Sequence, residues 1–201
     1  MFAASQGADM LGFILYEKSP RYCDPESARR IIASLKAALP HPPLTVGVFV
    51  NSPLAAMLAI ARKCELDAIQ LHGFETNETA ASLRREGYKV FKAFRITGAE
   101  AVQRFADFQV DGYLCDTSDP NLWGGTGQTF DHTLLTSAAR RYRIILAGGL
   151  TPENVAAAVR LVQPWAVDVA SGVEAAPGRK SPEKVAAFIQ AARSSLTTQV
   201  E

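Results

Sequence analysis

The chain is predicted to fold as an α/β barrel of the TIM (β/α)8 type, and three observations carry that prediction. Seven short apolar runs alternate with longer segments rich in Ala, Arg and Glu, which is the mark of βα units on a parallel sheet. Several of these runs keep one face apolar while the other turns polar toward the C-terminal end. That pattern suits a barrel whose inner face opens into a site, not a doubly wound sheet buried on both faces. Near the end of the chain, two apolar runs break into glycine-bearing turns one repeat apart, Gly148-Gly149 and Ser171-Gly172. The loops after barrel strands seven and eight often hold a phosphate.

The strand-like runs lie at residues 10–15, 44–50, 67–72, 89–94, 112–116, 144–147 and 166–170. In the third, Ile69 and Leu71 share one face and Ala68, Gln70 and His72 the other. In the fifth, Asp116 lies opposite Tyr113 and Cys115, and in the seventh Asp168 lies opposite Val167 and Val169. Helix starts are marked by one repeated device, a capping residue before proline: Asp24-Pro25-Glu26, Ser52-Pro53, Thr151-Pro152-Glu153 and Ser181-Pro182-Glu183. The cap accepts a bond from an orphan N–H, and proline at the first helical position loses nothing by lacking its own. The opening stretch, Met1 to Asp9, reads as a helix tail with Gly7 at its C-terminal cap. A closed barrel therefore needs one more strand upstream of Met1.

The 201 residues are 48% hydrophobic and 20% charged, which suits a single domain over 1–201 with a large core. A net charge of +1 gives no reason to expect a nucleic-acid partner. No apolar run reaches the ~20 residues that span a bilayer, and no secretory signal is visible. Cys23, Cys64 and Cys115 are odd in number and lack metal-type spacing, which points to a reducing, cytoplasmic setting. His41, His72 and His132 are scattered and offer no metal set.

Taken together, the motifs resemble the phosphoribosylanthranilate isomerase family of tryptophan biosynthesis. The resemblance runs from about Gly7 to Ile189. It rests on Gly7-Ala8-Asp9-Met10-Leu11-Gly12-Phe13, Lys18-Ser19-Pro20-Arg21-Tyr22, Val46-Gly47-Val48-Phe49-Val50-Asn51 and Gln70-Leu71-His72-Gly73. It continues through Asp116-Thr117, Trp123-Gly124-Gly125-Thr126-Gly127-Gln128-Thr129-Phe130-Asp131, Gly148-Gly149-Leu150-Thr151-Pro152-Glu153-Asn154-Val155 and Asp168-Val169-Ala170-Ser171-Gly172-Val173-Glu174.

The resemblance implies an Amadori rearrangement of N-(5-phosphoribosyl)anthranilate to an aminoketose. No cofactor is needed, because the iminium intermediate is its own electron sink. Asp116 matches the general acid. Arg21 matches the residue that pairs with the anthranilate carboxylate, a two-pronged task suited to guanidinium. Gly148, Gly149, Ser171 and Gly172 would hold the substrate phosphate through backbone N–H groups. Asp168, inward-facing below that clamp, is expected to reach a sugar hydroxyl. Gln70 and His72 share the inward face of their strand and are expected to meet the substrate. The loop from Trp123 to Gly127 is expected to fold over it. The family's general base is a cysteine in a Lys-x-Cys-Gly-x-Thr-like motif on the first strand, and this chain carries no such motif. Cys23, Cys64 and Cys115 read as core or surface residues. Two expectations follow: a chain start assigned late, upstream of which the strand and its cysteine are encoded, which is favoured because a helix tail is a strange place to begin, or a chain truly this short, leaving an open barrel with unpaired edges.

The implied partner is a small phosphosugar, with neither membrane nor nucleic acid, and the protein is a monomer or homodimer. Another phosphosugar barrel enzyme, such as a pentose-phosphate epimerase, and a non-catalytic remnant that only binds ligand or a partner are the alternatives.

Overall fold

In the computed structural model, residues 1–116 and 132–197 are described. The chain divides into two compact units, the first of Met1–Lys92 with Phe108–Asp111, the second of Ala93–Asp107 with Gly112–Glu201.

The first unit runs α1 (Phe2–Ser5), β1 (Met10–Ile14), α2 (Pro25–Ala38), β2 (Leu44–Phe49), α3 (Leu54–Cys64), β3 (Ala68–Leu71) and α4 (Asn77–Arg85), then enters β4 (Lys89–Arg95). Its strands pair in parallel and in chain order. Met10 is set against Leu44, Val46 against Ala68, and Ala68 against Lys89. Between one sheet face and the helices lies a core built from Phe13, Phe49, Ile69, Leu71 and Val90 on the strands and Ile32, Met57, Ala61 and Leu83 on the helices. Alternation along each strand therefore puts Ala68 and Gln70 on the opposite face, as the sequence predicted. α1 closes on Gly7, whose φ is 90°. The Gly7 N–H donates to the Ala4 carbonyl and the Ala8 N–H to the Ala3 carbonyl, both at 3.0 Å, the paired bonds of a Schellman stop.

The second unit continues β4 through α5 (Ala99–Gln103) and a 3₁₀ turn at Arg104–Asp107 to β5 (Gly112–Asp116), α6 (His132–Ala139), β6 (Ile144–Ala147), α7 (Val155–Val162) and β7 (Ala166–Val167). A second 3₁₀ turn (Ser171–Val173) and a small hairpin, β8 (Glu174–Ala176) and β9 (Arg179–Lys180), lead into α8 (Pro182–Thr197). β5, β6 and β7 are again parallel and sequential. Phe105, fully buried, is the hub of an aromatic cluster. Its ring centroid lies 4.7 Å from Phe94, 5.2 Å from Tyr113 and 5.6 Å from Tyr142. Such tilted and edge-on pairs add ~0.5–1.5 kcal/mol each beyond area burial.

Two of the four predicted helix caps form as expected. The Asp24 carboxylate accepts from the Ser27 N–H at 2.9 Å with Pro25 in the first turn, and the Ser181 hydroxyl accepts from the Lys184 N–H at 3.3 Å before Pro182. The other two are corrected. α3 starts at Leu54, with Pro53 itself at the cap in extended backbone and no side-chain cap bond. Pro53 takes the non-helical cap conformation that Asp24 takes before Pro25, so Ser52 lies one residue too early to cap. α7 starts at Val155 behind Asn154, because Thr151 to Asn154 form a separate turn, with the Asn154 N–H on the Thr151 carbonyl at 3.3 Å. β7 is also shorter than predicted and ends at Val167. Beyond it the backbone leaves the ladder, and Ala170 has φ −114° and ψ −78°. The region around Trp123 to Gly127 lies outside the described residues.

Candidate active site

β5 ends on Asp116, which is set directly against Ala147 at the end of β6. The Asp168 N–H donates to the Leu146 carbonyl at 2.8 Å. That bond closes the last β6–β7 pairing, Leu146 with Val167, and Asp168 follows directly beyond it, at the end of β7. The two aspartates thus stand at the C-terminal ends of the two strands that flank β6. With strands ~4.8 Å apart, their backbones are about 9–10 Å apart, room for a sugar ring. Asp116 is half-buried and Asp168 exposed. The opposite face carries Tyr113 and Cys115, both buried.

Immediately after Ala147 come Gly148 and Gly149, with φ 83° and 63°. Two left-handed residues in a row require glycine. The turn is tied down by Asn154, whose side-chain oxygen accepts from the Thr151 N–H at 2.7 Å and whose nitrogen donates to the Gly149 carbonyl at 2.9 Å. The second glycine turn is brought against the first, because a Cβ on Gly172 would overlap the Leu150 carbonyl. The two turns therefore adjoin, with Gly148, Gly149, Ser171 and Gly172 gathered beyond the row of Asp116 and Asp168. Such adjoining turns can aim several N–H groups at one anion.

In the first unit, the ends of β1, β2 and β3 carry the other candidates. Arg21 lies half-buried in the loop after β1, its N–H donating to the Ser19 hydroxyl at 3.1 Å. Gln70 is buried within β3 and His72 is exposed just beyond it. The Gln70 Nε2 is 2.9 Å from the His72 Nδ1. Beneath this pair is a buried ion pair that sequence reading missed. The Glu75 carboxylate accepts from the Asn51 N–H at 2.7 Å, from the Gly73 N–H at 2.9 Å and from the Lys92 Nζ at 3.3 Å. Lys92 also donates to the Leu71 and Gly73 carbonyls at 3.3 and 2.6 Å. Asn51, at φ 51°, accepts from the Phe74 N–H at 2.7 Å. The turn from Leu71 to Glu75 is therefore held from β2, β3 and β4 together. Asn154 is the other residue that went unassigned. Its sequence signals were its place three residues after Thr151 and within the Gly148–Val155 motif.

None of the three cysteines is a poised thiolate. Burial pushes all three thiols above the ordinary cysteine range, with the nearby Asp24 carboxylate adding to the effect at Cys23. The Cys64 Sγ donates to the Pro25 carbonyl at 3.2 Å, and Cys115 lies on the helix-facing side beside Tyr113. A nucleophile or base needs the opposite environment.

No helix of the described residues is long and apolar enough to cross a membrane. The family model of N-(5'-phosphoribosyl)anthranilate isomerase matches residues 2–191. The N-(5'-phosphoribosyl)anthranilate isomerase of Citrifermentans bemidjiense is 48% identical over 195 residues, covering 96% of this chain and 90% of that protein. Among solved structures, phosphoribosyl anthranilate isomerase from Thermotoga maritima superposes with a TM-score of 0.83 at 41% identity, over 96% of this chain and 92% of that one. A structure of phosphoribosyl anthranilate isomerase in complex with reduced 1-(o-carboxyphenylamino)-1-deoxyribulose 5-phosphate superposes with a TM-score of 0.81 at 38% identity, over 96% and 91%. These likenesses establish the TIM-type α/β barrel fold, and a family match over nearly the whole chain leaves one assignment: the chain belongs to the N-(5'-phosphoribosyl)anthranilate isomerase family.

Proposed function

We propose that this chain converts N-(5-phosphoribosyl)anthranilate to 1-(2-carboxyphenylamino)-1-deoxyribulose 5-phosphate, an isomerisation in tryptophan biosynthesis. Asp116 is the general acid. It gives its proton to the furanose ring oxygen as the C1–O bond breaks, and the nitrogen lone pair closes a C1=N iminium. Loss of the C2 proton to a base then sends the C–H electrons toward that iminium and forms an enolamine. Protonation at C1 and loss of the C2 hydroxyl proton deliver the ketone, so atoms and electrons balance without a cofactor.

The observation that carries the reading is the placing of two carboxylates at the ends of β5 and β7, on either side of β6, with two adjoining glycine turns just beyond them. A phosphosugar has hydroxyls and one phosphate at matching ends. Backbone N–H groups at Gly148, Gly149, Ser171 and Gly172 take the phosphate, and Asp168 accepts from a ribose hydroxyl. Arg21 pairs with the anthranilate carboxylate, and Gln70 and His72 serve the substrate from the end of β3. The base is none of Cys23, Cys64 or Cys115, since a thiol held protonated takes no proton from carbon. Residues 1–201 act as one barrel domain, as monomer or homodimer. The setting is the cytoplasm, in keeping with three unbridged cysteines.

The test is turnover by residues 1–201, and by the chain extended in frame upstream to include a strand with Lys-x-Cys-Gly. The same proteins are titrated with the reduced product analogue. Conversion by either supports the reading. Failure of both to convert substrate or bind the analogue overturns it.

A further inference from the structure

Gln70 and His72 stand two residues apart at the end of β3, on one side of the chain. Their contact is directional. The amide nitrogen of Gln70, 2.9 Å from the His72 Nδ1, has hydrogens to give and no lone pair with which to accept. The ring nitrogen facing it is therefore the acceptor, and the ring proton of the neutral imidazole belongs on Nε2. Gln70 is only 8% exposed, so its amide is held by packing, while His72 is exposed.

The backbone beneath is equally restrained. The His72 N–H donates to the Phe49 carbonyl at 2.8 Å, and the Glu75–Lys92 pair grips Gly73 from both its N–H and its carbonyl. Gly73 itself fits closely against Asn51, where a Cβ would collide with the side-chain oxygen. So much restraint around an exposed histidine is what a fixed donor requires.

We propose that Gln70 is a positioning residue. It selects the Nε2–H tautomer of the His72 imidazole, so that the ring presents that N–H donor to an oxygen acceptor of the phosphosugar substrate. The inference rests on the isomerase reading above, in which His72 meets the substrate.

The experiment is ¹⁵N NMR of the imidazole at a pH above the ordinary histidine range, with the His72 signals identified by their loss in His72→Gln. The expected result is a protonated Nε2 and an unprotonated, hydrogen-bonded Nδ1. Gln70→Glu replaces the donor by an acceptor and should move the proton to Nδ1. In the active chain kcat/KM should then fall about tenfold, the scale of one misdirected hydrogen bond, with unchanged inhibition by inorganic phosphate. Gln70→Leu should give a mixture of tautomers and an intermediate loss. A protonated Nδ1 in the unaltered protein overturns the inference alone. So does a proton moved by Gln70→Glu with kcat/KM unchanged. Full turnover by His72→Gln overturns it differently, by removing His72 from the site altogether.

Discussion

The α-carbon of Gly172 lies against the main-chain carbonyl of Leu150, so closely that a methyl group at 172 would overlap both the oxygen and the carbon of that carbonyl. The obstacle is backbone, which cannot rotate away as a side-chain tip can. Gly172→Ala must push the Ser171–Val173 turn off the turn that follows β6. Overpacking of this kind costs about 1–3 kcal/mol. If the two turns hold the phosphate as proposed, the more telling effect is there: separated turns no longer aim their N–H groups at one point. The expected outcome is weaker inhibition by inorganic phosphate and a raised KM for the phosphosugar, measured beside the melting temperature. A variant that loses stability yet keeps its phosphate affinity would show that the close approach serves packing only.

In the proposed mechanism Asp116 is the general acid. Asparagine keeps its shape and its place opposite Ala147 but cannot release a proton to the ring oxygen. A missing general acid typically costs 10²- to 10⁴-fold in rate. Asp116→Asn should therefore lose about that much kcat while binding the reduced product analogue nearly as before, by calorimetry. A kcat within a few-fold of the unaltered enzyme would take Asp116 out of the mechanism.

How much of this could be read from the amino-acid string depends on how local each signal is. The strand positions were legible because every apolar run is short and bounded by a helix start, and the inward face of β3 followed from a period of two. Asp116 and Asp168 were legible for the same reason. The end of β7 was not, because Val169 continues the apolar pattern while the chain is already turning toward the 3₁₀ segment at Ser171. The caps at Ser52 and Thr151 failed because proline marks a helix start only to within a residue or two. Lys92 was least visible of all. It shares the helix-facing side of β4 with Val90, a place where alternation leads one to expect an apolar residue. Its partner, Glu75, is 17 residues away in the chain. Long-range pairing of that kind leaves no local trace.

Lys92 also yields a sharp prediction about stability. Its ammonium and the Glu75 carboxylate are 3% and 4% exposed, 3.3 Å apart. Removing one member of a buried pair strands the other charge, at a cost of about 3–5 kcal/mol. Lys92→Met should lower stability by that much in denaturant titrations. The double variant Lys92→Met/Glu75→Gln should recover part of it, since the stranded charge is gone and the amide oxygen can still accept from the Asn51 N–H. Equal loss in the single and double variants would mean that the lysine matters only for its bonds to the Leu71 and Gly73 carbonyls.

Asp24 predicts a dependence on pH. The Ser27 side chain and N–H both bond its carboxylate, and together they hold it below the ordinary aspartate range. A carboxyl lowered in the folded state contributes stability above its unfolded pKa, and that contribution disappears as pH falls through the folded value. At neutral pH, Asp24→Ala should lower the melting temperature, because α2 loses the acceptor at its start and the negative charge that suits its positive end. As the solution is acidified past the ordinary aspartate range, the unaltered protein loses the same charge and the gap between the two should close. Asp24→Ser separates the two contributions: it keeps a capping oxygen without a charge, so its deficit at neutral pH should be smaller than that of alanine. A gap between aspartate and alanine that stayed constant down to the lowest pH at which both remain folded would show that the carboxylate's charge contributes nothing at this helix end.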